Sequence, residues 1–286
     1  MEYAIHITNL CKAYQDFALD NVSFAVPKGC IMGFIGENGA GKSTTIKAML
    51  NLVHRDAGTV EILGMDLDNH EKEIKERIGV VFDECCFHDN LTPADISKIL
   101  GNIYQNWDGI LYQTYLARFG LGETKKIKEF SRGMKMKLGI AAALAHNPDV
   151  LILDEATSGL DPIVREEILD IFLDFIQDEN HAVLISSHIT SDLDKIADYL
   201  TFIHHGRTVF SAGRDELMDS MGMVKCGTED LLGIGKDQII RYRTNQFGCE
   251  VLIRDKRKFA AGHPGAVIDP VTTESIMLFY SRGEEL

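Results

Sequence analysis

No stretch of this chain approaches the roughly 20 consecutive apolar residues that a membrane-crossing helix needs. The opening MEYAIHITNL also lacks the basic start and long hydrophobic centre of a secretion signal. A cytoplasmic protein without membrane spans is the expectation. Basic residues are in deficit, with 29 Lys and Arg against 43 Asp and Glu and a formal charge of -14. That balance argues against a chain that wraps nucleic acid through a basic face, so any polyanion it holds must meet a small, local positive site. Zinc-type cysteine spacing is missing too. The six cysteines (Cys11, Cys30, Cys85, Cys86, Cys226 and Cys249) read as reduced thiols, and the adjacent Cys85 and Cys86 are poorly placed to bridge each other. Repeats and low-complexity tracts are absent as well.

What is present suits an ordinary globular protein: 286 residues, 45% hydrophobic and 25% charged, suffice for one large domain plus an appendage. Short apolar runs at 31–35, 150–153 and 182–185 suit buried parallel strands and alternate with stretches of helical period, which is an α/β pattern. Between the first two runs lies a long helical insert. Thr92 there reads as an N-cap, Pro93 as the first helical residue, and Ile96, Ile99, Leu100, Ile103 and Tyr104 as one apolar face. Beyond about Gly222 a glycine-spaced stretch gives way to alternating segments such as IIRYR and CEVLIR, which suggests a small α+β appendage.

The joint GENGAGKST (36–44) follows the apolar run IMGFI and precedes a helix-like stretch. Glycines collect in ordinary turns, so a loop alone is one reading. Spacing favours another: Gly36, Gly41, Lys42 and Ser43 fill the fixed positions of G-x-x-x-x-G-K-[ST] between a strand and a helix. Glycines there let backbone N–H groups of residues such as Asn38, Gly39, Ala40 and Thr44 turn inward around phosphate oxygens. The helix that begins near Lys42 adds its positive end. Lys42 would reach the β- and γ-phosphates of ATP, and the Ser43 hydroxyl would ligate Mg²⁺. Further on, VLILDE (150–155) is an apolar strand that ends in two carboxylates. Asp154 suits the Mg²⁺ shell and Glu155 the activation of an attacking water, although solvated acids often end a strand.

In their order along the chain these motifs resemble the nucleotide-binding subunit of ABC transporters from Tyr14 to His188, with the general pattern continuing to about residue 215. FSRGM (130–134) stands where that family carries its LSGGQ-type signature, SGLD (158–161) where its D-loop belongs, and His188 at its switch histidine. The resemblance implies an α/β P-loop NTPase fold with an ABC-type helical subdomain at about 85–147 and a small C-terminal α+β appendage. Residues 1–222 would form the nucleotide-binding domain and 223–286 the accessory region. It also implies a Mg²⁺-dependent ATPase of the efflux branch, working as a homodimer or heterodimer with a second ABC ATPase. Each ATP would lie between one protomer's P-loop and the other's signature. Tyr14 would stack on adenine. His188 would reach the γ-phosphate and the surroundings of Glu155. Ser131 and Gly133 would cover the partner's γ-phosphate, and Asp161 would brace the dimer near both sites; Ser131 also reads as an N-cap, and Asp before Pro162 as a turn.

Integral membrane permease subunits would dock around residues 83–91 and hold the ATPase on the inner face of the membrane, with Phe87 either at that contact or buried in the helical subdomain. Three positions depart from the family pattern. Arg132 replaces the signature glycine, with Met134 in place of the final glutamine, and Asp83 in IGVVFDE (78–84) stands at the Q-loop glutamine. A carboxylate there can ligate Mg²⁺ or orient water, but it adds negative charge beside phosphates and cannot donate as an amide does. A soluble ABC-type ATPase of translation or DNA maintenance is the rival reading. A second cassette or a long coiled coil would mark it, and this chain has neither. A regulatory nucleotide-binding module without a permease is the other alternative, kept open by Asp83 and the altered signature.

Overall fold

The computed structural model describes residues 2–286. The chain opens with β1 (Tyr3–Ala13), β2 (Ala18–Pro27), β3 (Cys30–Ile35), α1 (Lys42–Met49), β4 (Ala57–Ile62), β5 (Met65–Asp66), α2 (Leu67–Arg77) and β6 (Ile78–Val81). Three helices follow without an intervening strand: α3 (Pro93–Leu100), α4 (Gly109–Arg118) and α5 (Arg132–Leu144). Alternation resumes through β7 (Val150–Asp154), α6 (Pro162–Phe175), β8 (Ala182–Ser187), α7 (Thr190–Ile196), β9 (Tyr199–His204), β10 (Arg207–Gly213) and α8 (Arg214–Ser220). The chain closes with β11 (Gly222–Cys226), α9 (Thr228–Leu231), β12 (Ile239–Asn245), β13 (Gly248–Ile253), α10 (Lys256–Gly262), β14 (Ile268–Asp269) and α11 (Thr273–Arg282).

The central sheet has the order β10-β9-β3-β8-β7-β6, parallel throughout except for the edge strand β10. Every residue of β7 and β8 is buried, as expected of strands covered on both faces, and this explains why VLILD and AVLISS read as runs without alternation. Each fully buried Val, Leu or Ile in them contributes about 1.5–3 kcal/mol by leaving water. A second sheet, β2-β1-β4-β5, is antiparallel and packs Phe24 against Phe34 of β3 at 5.1 Å between ring centroids. Residues from 222 onward build a third sheet, β12-β13-β11-β14, with its own apolar cluster around Val251, Ile253 and Phe259. Tyr280 of α11 joins this part to the central sheet, with ring centroids 5.8 Å from Phe202 and 5.6 Å from Phe210.

In the helical insert, Thr92 caps α3 through a capping box with Asp95, and Pro93 occupies the first turn. The expected apolar face is shorter than its pattern. Ile96 is buried and Leu100 packs against the core, but Ile99 is 44% exposed on the neighbouring side of α3, and Ile103, beyond the end of the helix at Leu100, is 59% exposed. All six cysteines are free thiols. Among the described residues no helix is long and apolar enough to cross a membrane.

The turn between β9 and β10 is anchored to two other elements. Gly206 N–H donates to Ala40 O (2.9 Å), and Gly206 O accepts from Asp20 N–H (2.8 Å). Its φ of 73° lies in the left-handed region, and a Cβ there would fall 1.8 Å from Ala18 O, so only glycine fits. Gly206→Ala is expected to cost more than about 2 kcal/mol in urea unfolding. An unchanged midpoint would show that this turn does not constrain the loop at 36–41.

Candidate active site

The site forms where β3, β7, β8 and β6 all deliver their carboxyl ends to one side of the sheet, the usual location for ligands in an open parallel sheet. Residues 36–41 leave β3 and enter α1 without regular structure, and Gly39 and Gly41 take φ of 82° and 114°. A Cβ on Gly36 would lie 2.5 Å from Ile203 O, and one on Gly41 2.8 Å from a Leu19 methyl, so both glycines are demanded by close approach. A Cβ on Gly39 would meet nothing within 4 Å, because that position faces the open cavity. The cavity measures about 660 Å³ and is lined by Asn38, Gly39, Gly41, Lys42, Ser43 and Thr44 on the loop side. Gly36 and Ala40 belong to the same loop but face inward: Gly36 O accepts from Lys42, and Ala40 is buried.

Lys42 is 5% exposed, and its ammonium donates to Gly36 O (2.8 Å) and Glu37 O (3.3 Å) and pairs with Glu155 Oε1 (3.1 Å). A buried ammonium needs such acceptors to offset its lost hydration. Glu155 follows β7 with φ of 54°, an unusual conformation for a residue with a side chain, and its N–H is held by Ser186 O (3.1 Å) and Ser186 Oγ (3.0 Å). The Ser186 hydroxyl itself donates to Asp154 Oδ1 at 2.6 Å. The other oxygen of Glu155 meets Nδ1 of His188, which directly follows β8, at 2.7 Å. Three residues far apart in sequence thus make one chain of contacts, Lys42–Glu155–His188.

Asp83, just beyond β6, also lines this cavity, and its carboxylate is bonded by the Arg132 guanidinium. Tyr14 is 48% exposed with the Lys12 ammonium 5.7 Å from its ring centre, and the aromatic residue lining the cavity is Phe17. Phe17 packs against Gly41 and is the aromatic residue that sequence reasoning passed over; its signal was the spacing of three residues from Tyr14. Asp16, Glu37 and Ser158 line the cavity as well; Ser158 opens the SGLD stretch, whereas Asp16 and Glu37 were not among the expected site residues.

Ser131, Gly133 and Asp161 do not line this cavity. Ser131 caps α5 by accepting from Met134 N–H (3.2 Å), and Asp161 caps α6 by accepting from Ile163 and Val164 N–H (3.2 and 3.1 Å). Gly133 sits in the first turn of α5, with Val164 about 3.5 Å from where its Cβ would be. A separate groove of about 670 Å³ runs between Asp83–Phe87 and α5, with Tyr104 stacked on His146 at 4.1 Å along its wall. Phe87 is half-buried and lines it.

Comparison with known proteins gives this geometry a family. The ABC transporter family model matches residues 19–158. The bacitracin transport ATP-binding protein BcrA of Bacillus licheniformis is 38% identical over 224 residues, covering 76% of this chain and 72% of that protein. The lantibiotic transport ATP-binding protein SrtF of Streptococcus pyogenes is 34% identical over 242 residues, covering 82% and 97%. Among solved structures, the ATP-binding subunit of an ABC transporter superposes with a TM-score of 0.69 at 25% identity, over 75% of this chain and 91% of that one. A dimeric ATP-binding cassette bound to ADP and Pi shares the fold with a TM-score of 0.66 at 21% identity, over 73% and 98%. The cradle at 36–44, the acidic end of β7 and the histidine after β8 lie on the α/β fold of these proteins, and the chain belongs to the ATP-binding subunits of ABC transporters.

Proposed function

We propose that this subunit hydrolyses ATP with Mg²⁺ in the cavity at residues 36–44 and that the cycle drives export through a separate membrane permease. One observation carries the hydrolytic reading: the Glu155 carboxylate is held over the cradle between Lys42 at 3.1 Å and His188 at 2.7 Å. A carboxylate so placed accepts a proton from an attacking water, and His188 orients it and bonds toward the terminal phosphate. Phosphate oxygens entering the cradle take over the Lys42 ammonium from the Gly36 and Glu37 carbonyls, which costs the lysine none of its hydrogen bonds. Backbone N–H groups of residues 38–44 and the first turn of α1 complete the cradle.

The donor set fits Mg²⁺. Among the described residues no group of three or more His, Cys, Asp or Glu forms a metal cage, whereas Mg²⁺ is ordinarily held by one or two protein oxygens together with phosphates and water. Ser43 and Asp154 would hold it; Asp154 is buried, and its Oδ1 accepts from the Ser186 hydroxyl. Bound there, the ion would neutralise phosphate charge as it develops.

Export is supported by the relatives, which are named for bacitracin and lantibiotic transport and, in Streptomyces peucetius, for daunorubicin and doxorubicin resistance. A permease would supply the membrane spans not found among the described residues and would keep the subunit on the inner face of the membrane. The groove beside residues 83–87 is the docking surface in this reading. Assembly is a head-to-tail dimer, in which Ser131, Gly133 and Asp161, outside their own protomer's cavity, face the partner's nucleotide. Tyr14, at the end of β1, would join Phe17 against the base. Residues 1–222 carry this chemistry, and 223–286 form an accessory region.

Glu155→Gln keeps the shape but not the basicity, so hydrolysis should fall by about 100-fold or more while ATP binding is retained. Turnover near the parent rate would remove Glu155 as the base. Lys42→Ala should weaken ATP binding at least about tenfold in calorimetry with the fold intact, since a charge-assisted bond to phosphate is lost. Unchanged affinity would overturn the cradle reading.

A further inference from the structure

Two of the three departures from the family pattern, Asp83 and Arg132, touch each other. They are separated by 49 residues, yet the Arg132 guanidinium donates to Asp83 Oδ1. Arg132 is the first residue of α5, whereas Asp83 leaves the edge strand β6, so the contact ties the helical insert to the sheet. The guanidinium also lies beside Gly159, where a Cβ would fall 2.9 Å from Nη1 and 3.0 Å from Cζ of Arg132. The stretches around residues 83, 132 and 159 therefore meet at one cation.

Its position matters for charge. The nucleotide cavity is lined by the carboxylates of Asp16, Glu37, Asp83 and Glu155, against the Lys42 ammonium and the His188 imidazole. Lys42 and His188 are already engaged by Glu155. A triphosphate entering this cavity meets Asp83 as a further negative group, and Arg132 is the cation that offsets it. Arg132 does not line the cavity itself but stands in the neighbouring groove, so Asp83 forms a wall common to both spaces. Stability does not explain the pair. The two side chains are 50% and 45% exposed, and ion pairs with that much solvent contribute little to folding.

We propose that Arg132 is a positioning residue for nucleotide binding: it holds the Asp83 carboxylate and screens its charge from the phosphate site. The pair does together what an uncharged residue at position 83 would do alone. The proposal rests on the ATP-site reading above.

A double-mutant cycle on the full chain tests it, with Arg132→Gly, Asp83→Gln and the two combined, plus Arg132→Lys. The readout is affinity for trinitrophenyl-ATP in EDTA and again in saturating Mg²⁺. Without Mg²⁺, Arg132→Gly should weaken binding about three- to fivefold in the parent, because Asp83 is left unscreened. In the Asp83→Gln background the same substitution should change affinity by less than about 1.5-fold, since no carboxylate remains to screen. Arg132→Lys should stay within about twofold of the parent, and saturating Mg²⁺ should shrink every difference. Melting temperatures should agree within about 2 °C, as expected for half-exposed positions. An equal loss from Arg132→Gly in both backgrounds, or no loss in the parent, overturns the proposal while leaving the ATP site standing. A parent protein that binds no nucleotide in either condition overturns the site reading and this proposal with it.

Discussion

The Glu155 carboxylate, held between the Lys42 ammonium and the His188 imidazole, is the contact on which the rest of the site depends. Glu155 follows β7, His188 follows β8, and Lys42 opens the helix reached by the loop from β3, so their meeting is a property of the parallel sheet: β3 pairs with β8 and β8 with β7 in matched register, and Ile35, Ser187 and Asp154 end at nearly one level. The buried β7 and β8 fix that level. Glu155 then departs with positive φ, held by Ser186, and its side chain turns back over the cradle. A conformation with that cost persists only where the surroundings over-determine it, and here they include a buried ammonium that needs a counter-charge.

The parts of this arrangement that were legible in the sequence are those encoded locally. Glycine, lysine and serine at fixed spacing specify a cradle because loop and helix N-terminus are contiguous, and VLILDE specifies a strand with acids at its mouth because burial on both faces removes alternation. Contacts across the fold were less accessible. Asp83 and Arg132 each stood out as unusual, but nothing local links a residue just beyond an edge strand to one on a helix of the insert. Tyr14 and Phe17 are both aromatic and close in sequence, and only the turn after β1 decides that Phe17 lies against Gly41 while Tyr14 remains half-exposed. The stripe misled at Ile103 because periodicity does not register where a helix stops, and at Ile99 because the face that packs is narrower than the apolar pattern.

The C-terminal part shows the same division. Its alternating strands were visible in IIRYR and CEVLIR, but the way it packs was not. Tyr280 stacks into Phe202 and Phe210, and Thr273 at the start of α11 bonds Asp194 on α7, the helix that begins two residues beyond His188. The C-terminal part is therefore packed on the helix that follows His188.

Hydrogen exchange of backbone amides, with and without Mg²⁺ and ATP, tests the central claim most directly, because a triphosphate in the cradle must engage the N–H groups of residues 38–44. Slowed exchange across 38–44, with smaller slowing at Glu155 and His188, is the predicted result. Unaltered exchange in that loop at saturating ATP, or protection confined to the groove beside Tyr104 and His146, would contradict it.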